Sequence, residues 1–300
     1  NVIITLVMLG IGTYLLVTQQ LNIGAFIATE IVVLSIMNAV EKLIKSLESY
    51  YDVIASLVKL NKVTELAEEH NDSIVLEHKN TGMEIGFNEV VFSFNDNKPI
   101  LSGINFTINP NTITVISGSL GAGKSLLLNM IAGFYEPSSG TVLFDKIPLK
   151  NLDKISLRDK IGLYMDDMNI IKGTLQENIL LGRSSINTED ILQLSDAIGI
   201  ENLSSRFTDG FNTQLSETDT EISFSSKKKI LLLRALLGDN RLLLLEDPLD
   251  GMNEEFRFKM IGYLQELKEN TTIIIVSDAP ELKFIADQKL HVHNGTIANI

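Results

Sequence analysis

The sequence predicts an α/β domain, built on a parallel β-sheet core with an added antiparallel β layer, that follows two transmembrane α-helices. Three features predict this fold class. Two long apolar runs occupy the first forty residues, and a glycine-rich segment lies between two apolar runs further along. Two short, wholly apolar runs come later, from Leu242 to Leu245 and from Ile273 to Val276. Such short runs suit central parallel strands that are covered on both faces.

The predicted membrane segments are Val2 to Val17, which has no charge, and Ile23 to Val40, which has the single acid Glu30. Each is close to the ~20 residues needed to cross a bilayer. A signal peptide is an alternative for the first run, although it lacks a basic start and a cleavage site. Core helices of a soluble protein are the other alternative.

The topology follows from the lysines after the second run. By the positive-inside tendency, this side of the membrane is cytoplasmic, and the lysines concerned are Lys42, Lys45, Lys59 and Lys62. The sequence thus predicts an integral, multi-pass protein in contact with membrane lipid, with its second domain in the cytoplasm.

A stalk is predicted beyond the membrane. Apolar residues recur at helical spacing from Leu43 to Leu66, and no Gly or Pro interrupts Ala25 to Glu69. Such a helix is roughly 65 Å long, about twice the hydrocarbon thickness. A polar, unpatterned stretch follows, so the predicted domains are 1–70 and 83–300, joined by a linker at 71–82.

The amino-acid composition limits the kinds of molecule that this protein is expected to bind. The net charge is −13, with 38 acids against 25 bases, and the chain has no cysteine. A surface for DNA or RNA needs the opposite charge balance, so nucleic acid is not an expected partner. The first residue is Asn1 rather than Met, which suggests the C-terminal piece of a longer protein.

The glycine-rich segment is Gly118-Ser119-Leu120-Gly121-Ala122-Gly123-Lys124-Ser125. A predicted strand, Ile113 to Ile116, precedes it, and a predicted helix, Ser125 to Ile131, follows it, which is the context that a phosphate-binding loop requires. Glycines let backbone N–H groups converge on phosphate oxygens, while Lys124 reaches the β- and γ-phosphates and Ser125 holds Mg²⁺. The alternative is a surface turn with an unrelated lysine.

From Met83 onward the chain resembles the ATP-binding-cassette (ABC) transporter family, specifically an exporter half whose cassette follows its last membrane helix. Ile85 to Phe94 and Ile100 to Ile108 suggest an antiparallel hairpin layer. The later matches follow the family's order and spacing: Ile161 to Ile179 resembles the Q-loop region, Glu217 the acid before the signature, Ile222 to Ser226 the signature, Leu242 to Pro248 the Walker B segment, Asn253 the D-loop acid and Ser277 the switch histidine.

This resemblance implies a P-loop NTPase cassette with a helical subdomain, and ATP and Mg²⁺ as cofactors. Phe94 matches the aromatic that stacks on adenine, although a strand phenylalanine is often plain core. The nucleotide would also contact Ser223 and the loop from Gly118 through Leu126. The implied metal residues are Ser125, Asp166 and Glu246, and the implied catalytic residues are Asp247 and Ser277.

Several acids depart from the family pattern. Asp166 replaces the glutamine that senses the γ-phosphate, which adds negative charge beside the phosphates. The Walker B pair is reversed, so Glu246 would hold the metal shell and the shorter Asp247 would orient the attacking water. A displacement near 1 Å can cost about 10²-fold in rate.

Two further departures affect the rest of the site. Ser277 lacks the charge that a histidine can carry. The signature keeps Ser223, but Phe224 and Ser225 replace glycines where backbone must approach a neighbour's phosphate. The resemblance therefore predicts tight ATP binding with slow hydrolysis.

Three functions remain open. The first is an exporter subunit that pairs with a second ABC half-transporter, in a homo- or heterodimer, to move an unknown substrate. The second is a catalytically weak ATP-binding membrane regulator or scaffold. The third, a soluble non-transport ABC ATPase, is opposed by the two apolar runs.

Overall fold

Two compact units divide the chain, Asn1–Glu68 and Glu69–Ile300. The structure, a computed structural model, describes residues 2–65, 74–77, 79–94, 98–183, 185–200, 209–216 and 222–299. Part of the predicted linker therefore lies outside the described residues. Its residues Ile74 and Leu76 belong to the second unit, where Leu76 is buried in the core and Ile74 pairs with Leu152.

The first unit consists of two helices, α1 (Val2–Val17) and α2 (Ile23–Thr64). The Asn22 side chain caps α2 by accepting the Ala25 N–H at 2.7 Å. Gly12 of α1 lies against the Phe26 ring so closely that a Cβ there would be 2.0 Å from it. Among the described residues, only the second helix is long and apolar enough to cross a membrane, from Ile23 to Lys62. The end of the predicted stalk, residues 66–69, lies outside the described residues.

The second unit is built on a six-stranded sheet with the order β12-β11-β3-β10-β9-β6. All neighbouring strands are parallel except the antiparallel pair β11 and β12. The strands are β3 (Ile113–Gly118), β6 (Ile161–Tyr164), β9 (Leu242–Glu246), β10 (Thr272–Val276), β11 (Gln288–His293) and β12 (Thr296–Asn299).

An antiparallel sheet with the order β2-β1-β4-β5 forms the second layer. The predicted hairpin is confirmed, since β1 pairs with β2 and the Phe87 and Phe106 rings stack 4.5 Å apart. The first strand ends at Phe92, so Phe94 lies beyond it. The strands are β1 (Ile85–Phe92), β2 (Leu101–Ile108), β4 (Ser139–Phe144) and β5 (Ile147–Pro148).

Helices cover both faces of the parallel sheet. They are α3 (Lys124–Ile131), α4 (Lys154–Arg158), α5 (Leu175–Leu180), α6 (Thr188–Ala197), α7 (Phe224–Leu236), α8 (Glu254–Leu267) and α9 (Pro280–Ile285), with a two-stranded ribbon of β7 (Gly173–Thr174) and β8 (Gln214–Leu215). Along β9, Leu242 and Leu244 join the core with α3, while Leu243 and Leu245 join the core with α7. This alternation explains why the strand is apolar from Leu242 to Leu245.

Gly162 of β6 lets α7 pack directly against the sheet. A Cβ on this glycine would lie 2.1 Å from the Ala235 carbonyl oxygen and 2.7 Å from Asn240 Nδ2. No side chain fits at this position without separating α7 from β6.

Gly162→Val is expected to lower the free energy of unfolding by about 2 kcal/mol or more, because overpacking forces the backbone apart. Urea unfolding of the chain in detergent, followed by circular dichroism, measures the change. Gly262 is a matched control: it lies within α8 with nothing within 4 Å of an added Cβ. Gly262→Ala is expected to be neutral or stabilising by up to ~1 kcal/mol. Equal unfolding midpoints for Gly162→Val and the parent would contradict the close approach.

A buried ion pair joins the two sheets. Arg241, just before β9, donates to the Asp145 carboxylate at 2.7 Å and to the Thr81 carbonyl at 2.9 Å. Asp145 also accepts the Glu84 N–H at 3.0 Å. Burial alone would raise the pKa of Asp145, but the hydrogen bonds from Arg241 and Glu84, with the charges of Arg241 and Lys79, hold it below its usual value.

Asp145→Asn is expected to lower the free energy of unfolding at pH 7 by about 1–3 kcal/mol, since Arg241 then loses its counter-ion. A lowered carboxyl pKa contributes stability above the unfolded-state value near 3.9, and this contribution is lost as pH falls through the folded-state value. The difference from the parent should therefore shrink below about pH 4. Urea unfolding at several pH values tests this, with Glu255→Gln, from an exposed pair with Lys259, as the control. A pH-independent difference would contradict the assignment.

Candidate functional site

The expected site residues meet at one edge of the parallel sheet. Strands β3, β6, β9 and β10 run parallel, so their carboxyl ends lie side by side. The phosphate loop follows β3, Asp166 follows β6, Glu246 ends β9, and Ser277 follows β10. Ligands of open α/β sheets bind at this edge.

The loop after β3 requires glycine at two close approaches. Gly118 has φ +146°, and a Cβ there would lie 2.3 Å from the Val292 carbonyl oxygen. Gly123 has φ +104°, and its Cβ would lie 2.8 Å from Leu101 Cδ2. Side chains at Gly118 and Gly123 would therefore prevent the turn that this loop makes.

Helix α3 begins directly after this loop, at Lys124. The first turn of a helix has N–H groups without acceptors inside the helix, and here they belong to Lys124, Ser125 and Leu126. Ala122 and Leu126 have buried side chains, so they can serve a ligand only through backbone N–H groups. Ser119 and Gly121 are exposed and the Leu120 side chain is fully exposed.

The Lys124 ammonium folds back over the loop. It donates to the carbonyl oxygens of Gly118 at 2.6 Å and Ser119 at 3.1 Å. These neutral acceptors can be exchanged for phosphate oxygens, which attract an ammonium more strongly.

Ser125 and Glu246 form the candidate metal position. The Ser125 hydroxyl donates to Glu246 Oε1 at 2.5 Å, and the Asp166 N–H donates to Glu246 Oε2 at 3.4 Å. Hydroxyl and carboxylate oxygens suit Mg²⁺, which uses one or two carboxylates together with substrate phosphates. Among the described residues, no group of three or more His, Cys, Asp or Glu side chains could hold a metal ion. The Ser125 hydroxyl and the Glu246 carboxylate fit a Mg²⁺ ion that phosphate oxygens would help to bind.

Asp166 is held by two side chains that sequence reasoning missed. Tyr164 donates its hydroxyl to Asp166 Oδ1 at 2.9 Å, and Lys228 Nζ lies 3.8 Å from the same oxygen. Burial, followed by the hydrogen bond to Asp166 and nearby carboxylates, raises the pKa of Tyr164. The phenol consequently keeps its proton and remains a donor.

Asp247 and Ser277 lie in turns after their strands. Asp247 has φ +42°, and its N–H donates to the Val276 carbonyl at 2.8 Å. Ser277 is buried, and its hydroxyl accepts the Ala279 N–H at 3.2 Å. The Ser277 hydroxyl is thus engaged by its own turn.

Phe94 belongs to an aromatic cluster. Its ring contacts Phe92 edge to face at 4.9 Å and Tyr135 at 5.6 Å, and the side chain is 45% exposed. Phe92 pairs with Leu101, whose side chain approaches Gly123. An exposed aromatic face can stack on a planar base, and Phe92 and Leu101 link this face to the phosphate loop. Sequence reasoning missed Tyr135.

Ser223 forms its hydrogen bonds at the start of α7 rather than with the residues around the phosphate loop. It caps α7 by accepting the Ser226 N–H at 3.1 Å, and its hydroxyl lies 2.9 Å from that of Ser226. Phe224 beside it is 64% exposed. Asn253 caps α8 through the Phe256 N–H at 3.1 Å. Glu217 lies outside the described residues.

A buried link fixes the segment after Asp166. Arg234 of α7 donates to the Asn178 carbonyl at 2.7 Å and to its side-chain oxygen at 3.1 Å. Asn178 in turn forms hydrogen bonds with the backbone of Ile171 and Thr174.

The inward position of Lys228 has a signal in the sequence. Lys228 shares a helix face with Leu231, Leu232 and Ala235, at spacings of three, four and seven residues.

Several known proteins have sequences similar to this chain, and their names describe ABC transporter or export ATP-binding proteins. YwjA of Bacillus subtilis, an uncharacterized ABC transporter ATP-binding protein, is 28% identical over 98% of this chain and 51% of its own length. LtxB of Aggregatibacter actinomycetemcomitans, a leukotoxin export ATP-binding protein, is 26% identical over 96% of this chain and 41% of its own. The chain thus spans about half the length of the curated relatives it matches.

A solved structure has the same fold. A bacterial Atm1-family ABC exporter with ATP bound aligns over 82% of this chain and 43% of its own, with a TM-score of 0.74 and 20% identity. The sequence profile described as ABC transporter matches residues 101–250, which include the phosphate loop, Asp166 and the Glu246–Asp247 pair. This match covers half of the chain, and the chain belongs to the ABC transporter family.

Proposed function

We propose that this chain is the membrane-proximal and ATP-binding part of an ABC exporter that uses ATP and Mg²⁺. The observation that carries the proposal is the 2.5 Å contact between the Ser125 hydroxyl and Glu246 at the end of the phosphate loop. It joins the loop expected to bind phosphates to the acid expected to hold the metal.

Nucleotide binding would use groups that the fold already holds in place. Backbone N–H groups at the start of α3 and the Lys124 ammonium would take the phosphates. Phe94 and Tyr135 offer aromatic surface for the adenine, and Mg²⁺ would supply positive charge between Ser125, Glu246 and the phosphate oxygens. Asp166 lies beside this position through its N–H contact with Glu246.

The export role rests on the helices and the relatives' names. Helix α2 is long and apolar enough to cross a membrane, and the proposal gives α1 a second pass, with lipid around both and the cassette in the cytoplasm. LtxB is named for leukotoxin export, and a Lactococcus lactis relative for multidrug resistance. A second ABC half-transporter, identical or different, would be the partner. The cargo stays unassigned.

Slow hydrolysis is part of the proposal. Asp247 has the shorter side chain where the family has glutamate, and its backbone is fixed in a left-handed turn. The Ser277 hydroxyl is engaged by Ala279. On this proposal Asp247 reaches the attacking water less well than a glutamate would, and Ser277 meets the γ-phosphate without the charge that a histidine can carry.

The same observations favour a second candidate, a membrane regulator that binds ATP without transporting a substrate. An ATPase assay beside a transport assay in vesicles separates the two. Substrate movement that depends on ATP supports the exporter, and tight ATP binding without any movement supports the regulator.

Lys124→Ala is expected to weaken MgATP affinity by about tenfold or more, because a charge-assisted contact to the phosphates is lost. Calorimetric titration of the chain in detergent measures the affinity. Lys150→Ala removes an exposed lysine on the turn after β5 and should leave the affinity unchanged. Equal affinities for Lys124→Ala and the parent would refute nucleotide binding by this loop.

Exchanging the Walker B acids in the double variant E246D/D247E is expected to raise ATP turnover about tenfold or more, since reach at the water-orienting position is restored. Phosphate release by purified protein measures turnover. Adding K124A to the exchanged variant should abolish the gain. Unchanged turnover in the double variant would mean that the order of the acids does not limit hydrolysis.

A further inference from the structure

Lys228 is a buried lysine at the ligand-binding edge of the sheet. It lies on α7, it is 2% exposed, and it is the only lysine among the buried residues in the part of the chain that the structure describes. An ammonium in such a place is costly unless it is paired and hydrogen-bonded. Its partners therefore indicate why it is there.

Three groups surround the Lys228 ammonium. It donates to the Asp247 backbone carbonyl at 2.7 Å, lies 3.8 Å from Asp166 Oδ1, and lies 5.6 Å from the centre of the Tyr164 ring. Tyr164 donates its hydroxyl to the same oxygen of Asp166. The carboxylate of Asp166 is thus approached from the protein interior by an ammonium and a phenol together.

The strand pairing makes this arrangement possible. Strands β6 and β9 are neighbours, with Tyr164 opposite Leu245, so the segments that follow them leave the sheet side by side. Helix α7 packs on the face of the sheet to which Leu243 and Leu245 of β9 point. One side chain from its second turn therefore reaches both Asp166 and Asp247.

The charges at this edge call for such a cation. Asp166, Glu246 and Asp247 lie beside a loop that is expected to bind a triphosphate, while Lys124 supplies the cation of the loop itself. An unpaired Asp166 would repel the phosphates. A fixed ammonium at low exposure is weakly screened by solvent and salt, so it offsets this repulsion effectively.

We propose that Lys228 is a positioning residue whose ammonium, anchored by the Asp247 carbonyl, offsets the charge of Asp166 so that the site accepts a magnesium-bound nucleoside triphosphate. The inference rests on the proposed ATP binding. It assigns Lys228 no contact with the nucleotide, because the side chain acts through Asp166.

A double-mutant cycle tests this role in the whole chain in detergent. MgATP affinity is measured by calorimetry for the parent, K228M, D166N and K228M/D166N, and urea unfolding is measured in parallel. K228M is expected to weaken binding about tenfold when Asp166 is present and by roughly twofold or less in the D166N background. Lys259→Met, at an exposed pair with Glu255 on α8, is the matched control and should leave affinity unchanged.

A merely structural lysine gives a different result. In that case K228M lowers affinity by the same factor in both backgrounds, and the inference is overturned. Rescue of affinity by D166N supports it, whatever the change in unfolding. K228R keeps the charge and should bind MgATP within about threefold of the parent.

Failure of folding is covered by a second comparison. If K228M does not fold, D166N and K228M/D166N carry the test, since neither contains a carboxylate at position 166. Affinities within about twofold of each other support the inference, and a larger difference overturns it. Absence of MgATP binding in the parent itself would instead refute the proposed function.

Discussion

The parallel pairing of β3, β10, β9 and β6 is the constraint on which the site depends. Register places Leu243 opposite Ile273 and Leu163 opposite Leu244, so the four strands end at nearly the same level. Residues far apart in the chain then become neighbours. The contact between Ser125 and Glu246 spans 121 positions in sequence, and it exists because of this pairing.

Close packing of the backbone also holds the residues at this edge of the sheet in place. Gly118 and Gly123 let the phosphate loop lie against β11 and β2, and Gly162 lets α7 lie against β6. Each contact removes space that a side chain would need. The loop and α7 are thereby held in place without help from a ligand, which is the pre-organisation that binding of a charged group benefits from.

The balance of charge distinguishes this site from the family pattern. Acids occupy the positions after β6 and β9, and Glu246 and Asp247 stand in reversed order. Hydrogen-bond donors and a cation lie against these acids: the buried side chains of Tyr164 and Lys228 approach Asp166, and the exposed Ser125 hydroxyl donates to Glu246. The departures are thus accompanied by compensating contacts at Asp166 and Glu246.

Much of the fold was predictable because its signals are local. The glycine-rich loop, the apolar strand at Leu242 and the two N-terminal helices follow from residue type and periodicity within short windows. Their ends were less predictable: the first strand stops at Phe92 rather than Phe94, and α3 begins at Lys124 rather than Ser125. Hydrogen-bond partners from other elements set such ends, and a sequence pattern does not name those partners.

The sequence by itself determined the glycine-rich loop with its flanking strand and helix, the hairpin of the antiparallel layer, and the residue types at the carboxyl ends of the parallel strands. Only the tertiary structure decided that Lys228 points inward to Asp166, that Tyr135 joins Phe94, and that the Ser277 hydroxyl binds its own turn. Periodicity fixes the face of an element on which a side chain lies. The strand order and the packing of α7 fix what that side chain meets, because they bring together groups that are distant along the chain.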